Sequence, residues 1–149
     1  MPAHAPVKSD IYFHFLRDGF SLSGRTRLKT FIGSVFKKEK KQLGQLSYIF
    51  CSDDYLLEIN RQYLNHDFFT DIISFDLSGP GPALNAEIYI SVDRVRDNAR
   101  DFKSSFKNEL HRVIFHGALH LCGYKDKKRV DQQKMRKMEN KYLDLYFKG

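Results

Sequence analysis

His116 and His120 stand four residues apart in a stretch that continues through Gly123 to Asp126. An α-helix turns once in about 3.6 residues, so two histidines at this spacing point the same way and can bind one ion together. Gly123 follows the helical run, where helices commonly end on a left-handed residue. A turn there brings Asp126 back over the helix end as a third ligand. Three protein ligands and an open fourth position are typical of a catalytic zinc site.

Other readings of the histidine pair stay open at this point. Helices that bind no metal also carry histidines four residues apart, so the hypothesis depends on the glycine and the carboxylate as well. The zinc-protease motif has a glutamate directly after its first histidine as general base, and here that residue is Gly117. The sequence therefore argues against a peptidase and favours other hydrolytic chemistry.

Length and composition predict a small basic protein with one core. The chain has 149 residues, 42% of them hydrophobic, and no apolar run near the length of about 18 residues that a membrane helix needs. Residues 1–6 lack the apolar core of a signal peptide, and two cysteines, Cys51 and Cys122, are too few for a disulfide scaffold, so we expect a cytoplasmic protein. The net charge of +7 favours a polyanionic partner, nucleic acid first.

The apolar pattern predicts a chain that mixes strands and helices. The predicted elements are a strand at 12–15, a helix after Gly24, a strand at 46–51, a helix capped by Asp53, strands at 71–77 and 87–90, a helix from Val92 with Phe102 facing inward, and helices at about 105–122 and 128–147. This order predicts one compact α/β domain over residues 1–149, in which a mixed central sheet of about four strands is covered by about five helices.

The two histidines lie beside the apolar stripe of the predicted helix at 105–122, at neither a core nor a plainly exposed position. The stripe consists of Leu110, Val113, Ile114, Ala118 and Leu121. A residue at the edge of such a stripe can line a cleft between the helix and its neighbours. We therefore expect the metal-binding helix to line a cleft.

Three blocks of the sequence resemble the YbeY family of metal-dependent endoribonucleases. Residues 116–124, HGALHLCGY, resemble the family pattern H-G-x-L-H-L-x-G-Y-D-H, which is highly specific. Residues 70–75, TDIISF, resemble its T-[ND]-x-x-S-F pattern, and residues 87–91, EIYIS, resemble the acidic residue and strand that follow it there. The order and spacing of the blocks match, so the resemblance covers nearly the whole chain.

The resemblance implies a concrete function. It implies one zinc ion per chain, hydrolytic cleavage of single-stranded RNA, and a role in ribosomal RNA processing, especially of the small subunit, and in ribosome quality control. The ribosomal small subunit is then the expected partner, and neither DNA nor a membrane is. Arg61 and Glu87 are the candidate catalytic residues, and His116, His120 and Asp126 are the candidate metal ligands.

This chain departs from the family pattern at two places. The usual third histidine is Asp126 here, and the aspartate before it is Lys125. The family commonly has an arginine directly after the tyrosine that is Tyr63 here, but this chain has Leu64, so Arg61 either substitutes for it or is simply exposed to solvent.

Several roles remain open from the sequence alone. Lys125, Lys127 and Arg61 are candidates to hold the RNA backbone, while Glu87 and Asp71 are either catalytic or hydrogen-bond partners of a ligand histidine. The alternative function is a non-catalytic ribosome- or RNA-binding assembly factor with a structural metal.

Overall fold

Four strands and five helices follow one another along residues 10–149, the part of the chain that this computed structural model describes. They are β1 (Asp10–Phe15), α1 (Arg25–Lys38), β2 (Gln42–Cys51), α2 (Asp53–Leu64), β3 (Ile72–Asp76), β4 (Ala83–Ser91), α3 (Val92–Asp101), α4 (Phe106–Leu121) and α5 (Arg129–Lys148). The N-terminal segment that we expect not to be a signal peptide lies outside the described residues. Among the described helices, none is both long and apolar enough to cross a membrane.

The strands form one mixed sheet in the order β1-β2-β4-β3. β1 pairs with β2 and β2 with β4 in parallel, whereas β3 pairs with β4 antiparallel. Parallel neighbours need crossover connections, and α1, which follows β1, and α2, which follows β2, begin those crossovers. The predicted α/β architecture, with about four strands and five helices, is confirmed.

The two faces of the sheet carry different cores because successive strand side chains point to opposite sides. Alternate residues of β2 and β4, such as Tyr48 and Ile88, belong to the main core together with α1, α4 and α5. The intervening side chains of β3 and β4, such as Ile73 and Tyr89, pack with α2 in a smaller cluster. One face of the sheet is therefore covered by α4, and we call it the α4 side. The opposite face is covered by α2, and we call it the α2 side.

Helix α4 lies directly against the sheet at Gly117. A Cβ atom there would be 2.9 Å from Ile88 Cδ1 and 3.0 Å from Ile72 Cδ1. The helix is also fixed by the buried Tyr48 hydroxyl, which donates a 2.9 Å hydrogen bond to the Ile114 carbonyl oxygen. Because residue 117 has no side chain, its neighbours on α4 are brought close to the start of β3.

Several element ends differ from the sequence predictions. β2 begins at Gln42 and not at the predicted residue 46. Its first two residues also pair with β4, before a register shift between Leu43 and Leu46. Ser52, not Asp53, caps α2 by accepting a 3.1 Å hydrogen bond from the Tyr55 amide. Phe102, predicted to face inward, is 63% exposed because α3 ends one residue before it.

We expect Gly117→Ala to be less stable than the matched helix variant Gly33→Ala. Both substitutions gain about 1 kcal/mol of helix propensity, but a new Cβ meets nothing within 4 Å at Gly33. Overpacking at residue 117 costs about 1–3 kcal/mol, which should appear as that difference in the free energy of unfolding. Chemical denaturation of both variants measures it. Equal stabilities would mean that α4 can move away from the sheet at no cost.

Candidate metal centre and its cleft

His116, His120 and Asp126 form a cluster at the end of α4. The helix presents both imidazoles on one side, and the chain then turns at Gly123, whose φ of 107° favours glycine. The turn returns Asp126 to the helix end, where its Oδ2 lies 3.2 Å from His116 Nε2 and its Oδ1 lies 3.6 Å from His120 Nε2. The sequence pattern thus corresponds to a real cluster in space.

The spacing of these donor atoms fits one metal ion. Ligand atoms about 2.0–2.1 Å from a tetrahedral ion lie about 3.3–3.4 Å from each other. The two distances to Asp126 bracket that value, and one donor atom of each residue lies within 4.8 Å of the others. Three such donors leave one tetrahedral position for water or substrate.

Each histidine has its second ring nitrogen bound to the protein. His116 Nδ1 lies 2.7 Å from Glu139 Oε2 on α5, and His120 Nδ1 lies 2.7 Å from the Tyr124 carbonyl oxygen. Both partners are acceptors, so both Nδ1 atoms carry the proton and donate it. The Nε2 atoms are therefore free of a proton in the neutral rings and face the cluster, which is the usual arrangement of metal-binding histidines.

Glu139 is a buried carboxylate held by charged partners. It is 5% exposed, and its Oε1 accepts a 2.9 Å hydrogen bond from Arg112 Nη1. Burial alone opposes ionisation, but hydrogen bonds from His116 and Arg112 lower the pKa of Glu139 below its usual value. Burial likewise disfavours a charged His116, yet Glu139, Asp126 and Asp71 together raise its pKa. These negative charges favour any cation at this place, a proton or a metal ion.

The turn after α4 is tied to two other helices through Glu39. The Tyr124 hydroxyl donates a 2.6 Å hydrogen bond to Glu39 Oε1 at the end of α1, and this bond raises the pKa of Tyr124 to about 12. The Tyr142 hydroxyl of α5 donates to the other carboxylate oxygen. The carbonyl oxygen of Tyr124 accepts the hydrogen bond from His120 Nδ1. By holding the Tyr124 side chain, Glu39 therefore also helps to orient the His120 ring.

A cavity of about 540 Å³ opens beside the cluster. Its walls come from α4, from α5, and from the loop and strand between α2 and β4. Asp71 and Glu109 lie in this wall, and burial raises the pKa of both carboxyl groups, although the positive charges of His116 and Arg112, respectively, oppose the rise. The cavity is thus an acidic pocket beside the candidate metal ligands, with Arg112 and Arg136 also in its wall.

Arg61 and Glu87, the two residues predicted to be catalytic, do not line this cavity. Arg61 projects to solvent and pairs with Asp67 at 2.6 Å. Glu87 belongs to the α2 side of the sheet, where the Tyr89 hydroxyl donates a 2.9 Å hydrogen bond to it. The expectation that Glu87 faces the cleft is therefore corrected: the alternation of β4 directs it to the face opposite α4.

Sequence reasoning missed three polar residues of the site. Glu109 and Arg112 share a helix face with His116 and His120, since they lie at successive spacings of three and four residues. Glu139 occupies the apolar stripe of α5, between Met135 and Tyr142. Two signals in the sequence could have identified them. Glu109 and Arg112 extend a continuous polar row along one face of α4, and Glu139 is a charged residue within an apolar stripe.

The variant Glu139→Gln should bind metal about 10–100-fold more weakly, because the charged acceptor that orients His116 is lost. The matched control is Asp144→Asn on the same helix, whose side chain is 68% exposed and pairs only with Lys148 among the described residues. Competition with a chromophoric chelator measures both affinities. If the two variants bind metal equally well, the His116–Glu139 bond does not tune the site.

Comparisons with known proteins agree with this geometry and confirm the resemblance seen in the sequence. The family model for Endoribonuclease YbeY matches residues 22–146. Endoribonuclease YbeY of Flavobacterium psychrophilum is 51% identical over 127 residues, which cover 85% of this chain and 90% of that protein. The Cytophaga hutchinsonii protein of the same name is 46% identical over 140 residues, 93% of this chain and 98% of its own.

A solved structure extends the likeness to the fold. The solution structure of TM1509 from Thermotoga maritima is 29% identical and superimposes with a TM-score of 0.61, covering 91% of this chain and 89% of that one. The family model's region, residues 22–146, includes the candidate metal ligands, all of α4 and most of α5. With sequence, fold and cluster in agreement over most of its length, this chain belongs to the YbeY family of endoribonucleases.

Proposed function

We propose that this chain is a zinc-dependent endoribonuclease that cleaves single-stranded RNA during maturation of small-subunit ribosomal RNA. Membership of an endoribonuclease family supports RNA as the substrate. The observation that carries the proposal is the cluster of three metal-ligand side chains at the wall of an open cavity. From the cysteine content of the sequence we assign the protein to the cytoplasm. As the family resemblance implies, we propose the ribosomal small subunit as partner and ribosome quality control as a further role.

His116, His120 and Asp126 hold the zinc ion in this proposal. When bound, zinc supplies a Lewis acid that activates water and polarises a phosphoryl oxygen. Nitrogen and carboxylate donors suit zinc, although a carboxylate is a harder ligand than the histidine that the family usually has there. The hydrogen bonds to Glu139 and Tyr124 keep both imidazoles in the tautomer that leaves Nε2 free.

We assign the general base to Asp71 in place of Glu87. Asp71 lies in the same cavity wall as His116, whereas Glu87 is on the other side of the sheet. Burial raises the pKa of Asp71. A base is most effective when its pKa approaches the working pH, because it then combines the correct protonation state with proton affinity.

Cations on α5 are suited to the phosphate backbone of RNA. Arg136 lines the cavity and its side chain is 60% exposed. Arg129 and Lys137 line the adjoining groove, which also includes His116 and Asp126. Phosphodiester cleavage builds negative charge, which such neighbouring cations stabilise.

The open cavity also distinguishes this proposal from the other two function classes. A structural zinc site usually has four protein ligands, whereas this cluster offers three beside a cavity. A zinc peptidase would need a base at residue 117, and that position lies against Ile88 and Ile72. The geometry therefore favours the nuclease over a non-catalytic assembly factor and over a peptidase.

We expect purified protein to carry about one zinc per chain, and His116→Ala and Asp126→Ala to lose both the metal and the cleavage of single-stranded RNA. The control is Asp144→Ala, an aspartate with a 68% exposed side chain outside the cluster. Atomic absorption and a gel assay give the two readouts. Full zinc retention in Asp126→Ala would remove that residue from the ligand set. A folded, zinc-free variant that cleaves RNA at the wild-type rate would refute the catalytic metal.

Asp71→Asn should retain zinc but cleave RNA about 10²–10⁴-fold more slowly, because the amide cannot accept a proton. Metal content and single-turnover rates on the same preparation separate these effects. Glu87→Gln is the matched control, since it removes a carboxylate from the opposite face of the sheet. If Glu87→Gln slows cleavage and Asp71→Asn does not, the assignment of the base is reversed.

A further inference from the structure

An aromatic pair, His66 and Phe68, lines the same cavity as the metal ligands. The two rings stack, with centroids 5.0 Å apart and planes inclined by 22°. Despite that contact, Phe68 is 55% exposed. A large aromatic ring exposed at a polar cavity offers a flat face on which an aromatic group of a ligand can pack.

Asn60 of α2 fixes the loop that carries this pair through two hydrogen bonds. The Asn60 side-chain amide donates a 2.9 Å hydrogen bond to the Phe68 carbonyl oxygen, and the main-chain carbonyl oxygen of Asn60 accepts one from the His66 amide at 3.1 Å. Asn60 is 1% exposed. The two bonds fix the backbone on both sides of residue 67, so the aromatic surface exists before any ligand arrives.

The neighbouring Phe69 serves a different purpose. The Arg94 guanidinium lies 5.1 Å from the centre of its ring and also pairs with Asp53 at 2.6 Å. Phe69 does not line the cavity. The two adjacent phenylalanines are similarly exposed, at 47% for Phe69 and 55% for Phe68, but Phe68 lines the cavity of the metal ligands, whereas one face of Phe69 lies against an arginine.

We propose that Phe68, backed by His66, is a nucleobase subsite on which one base of single-stranded RNA stacks. This inference rests on the proposed ribonuclease function and names where that substrate is bound. Unpaired bases have free faces, and every base can stack on an aromatic ring, so such a surface selects single strands without reading sequence.

The exposed cations at the edge of the cavity favour RNA over an apolar peptide as the occupant, although four carboxylates lie in its wall. Arg136 lines the cavity, Arg129 and Lys137 line the adjoining groove, and the chain has a net charge of +7. With the base on the loop wall, the sugar-phosphate chain crosses towards the metal ligands and α5. The subsite thus holds a base near the phosphate that is cleaved.

The test mixes zinc-loaded protein with a single-stranded oligoribonucleotide containing 2-aminopurine, whose fluorescence is quenched by stacking, and records the signal before the first turnover. Phe68→Ala should bind this RNA about 5–150-fold more weakly and lose the quenching, because an aromatic–base stack contributes that factor. Phe68→Tyr retains a ring and should match the wild type. Phe102→Ala removes an equally exposed phenylalanine outside the cavity and should have no effect.

The outcomes separate the two proposals. If Phe68→Ala binds and quenches as the wild type does, while the wild type still cleaves RNA in a zinc-dependent way, the subsite is wrong and the ribonuclease assignment stands. A wild-type protein that neither binds nor cleaves the RNA overturns both. Thermal melting of each variant checks the fold, and a Phe68→Tyr variant as weak as Phe68→Ala would also refute stacking.

Discussion

The close contact between α4 and the sheet at Gly117 determines where the metal cluster can form. A side chain at this residue would collide with Ile88 and Ile72, so glycine lets the helix approach until its backbone rests on the two isoleucines. His116 precedes the contact by one residue and His120 follows it by three, so the imidazoles emerge at the edge of the interface. The same approach brings α4 beside the start of β3, which supplies Asp71 to the cavity. The close contact at Gly117 therefore positions the metal ligands, the cavity beside them and the Asp71 carboxylate.

Arg112 and His116 of α4 are joined to Glu139 of α5 by buried charged hydrogen bonds. These bonds orient the His116 ring more than they stabilise the fold. Burying a carboxylate is costly, and the return from an ion pair commonly does no more than offset that cost. Here the carboxylate uses one oxygen for Arg112 and the other for His116. The arginine keeps Glu139 ionised, and the ionised oxygen fixes the proton of His116 on Nδ1. An apolar residue at 139 would fill the space but leave the ring free to rotate.

Local spacing made the metal ligands predictable, whereas contacts between distant segments were not. His116, His120 and Asp126 lie within one helix and one turn, so helical period and a glycine suffice to bring them together. Glu139 lies 23 residues beyond His116, and only the packing of α5 on α4 joins them. The face of Glu87 was equally inaccessible: the alternation along β4 separates Glu87 from Ile88 and Ile90, but it does not tell which of the two faces α4 covers.

In the proposed zinc site, Asp126 takes the place of the third histidine of the family pattern and changes the charge that the substrate meets. Three neutral imidazoles leave the full double charge of a zinc ion, whereas one carboxylate ligand cancels one of those charges. A phosphodiester is an anion, so the exchange alone weakens its attraction to the site. Lys125, Lys127 and Lys128 surround Asp126 in sequence, and Arg129 begins the next helix. Of these cations, Arg129 lines the groove that also includes His116 and Asp126, whereas Lys125 and Lys128 line a separate pocket beside Tyr124. In the proposed site, Arg129 therefore returns a positive charge beside the carboxylate that removed one, outside the set of metal ligands.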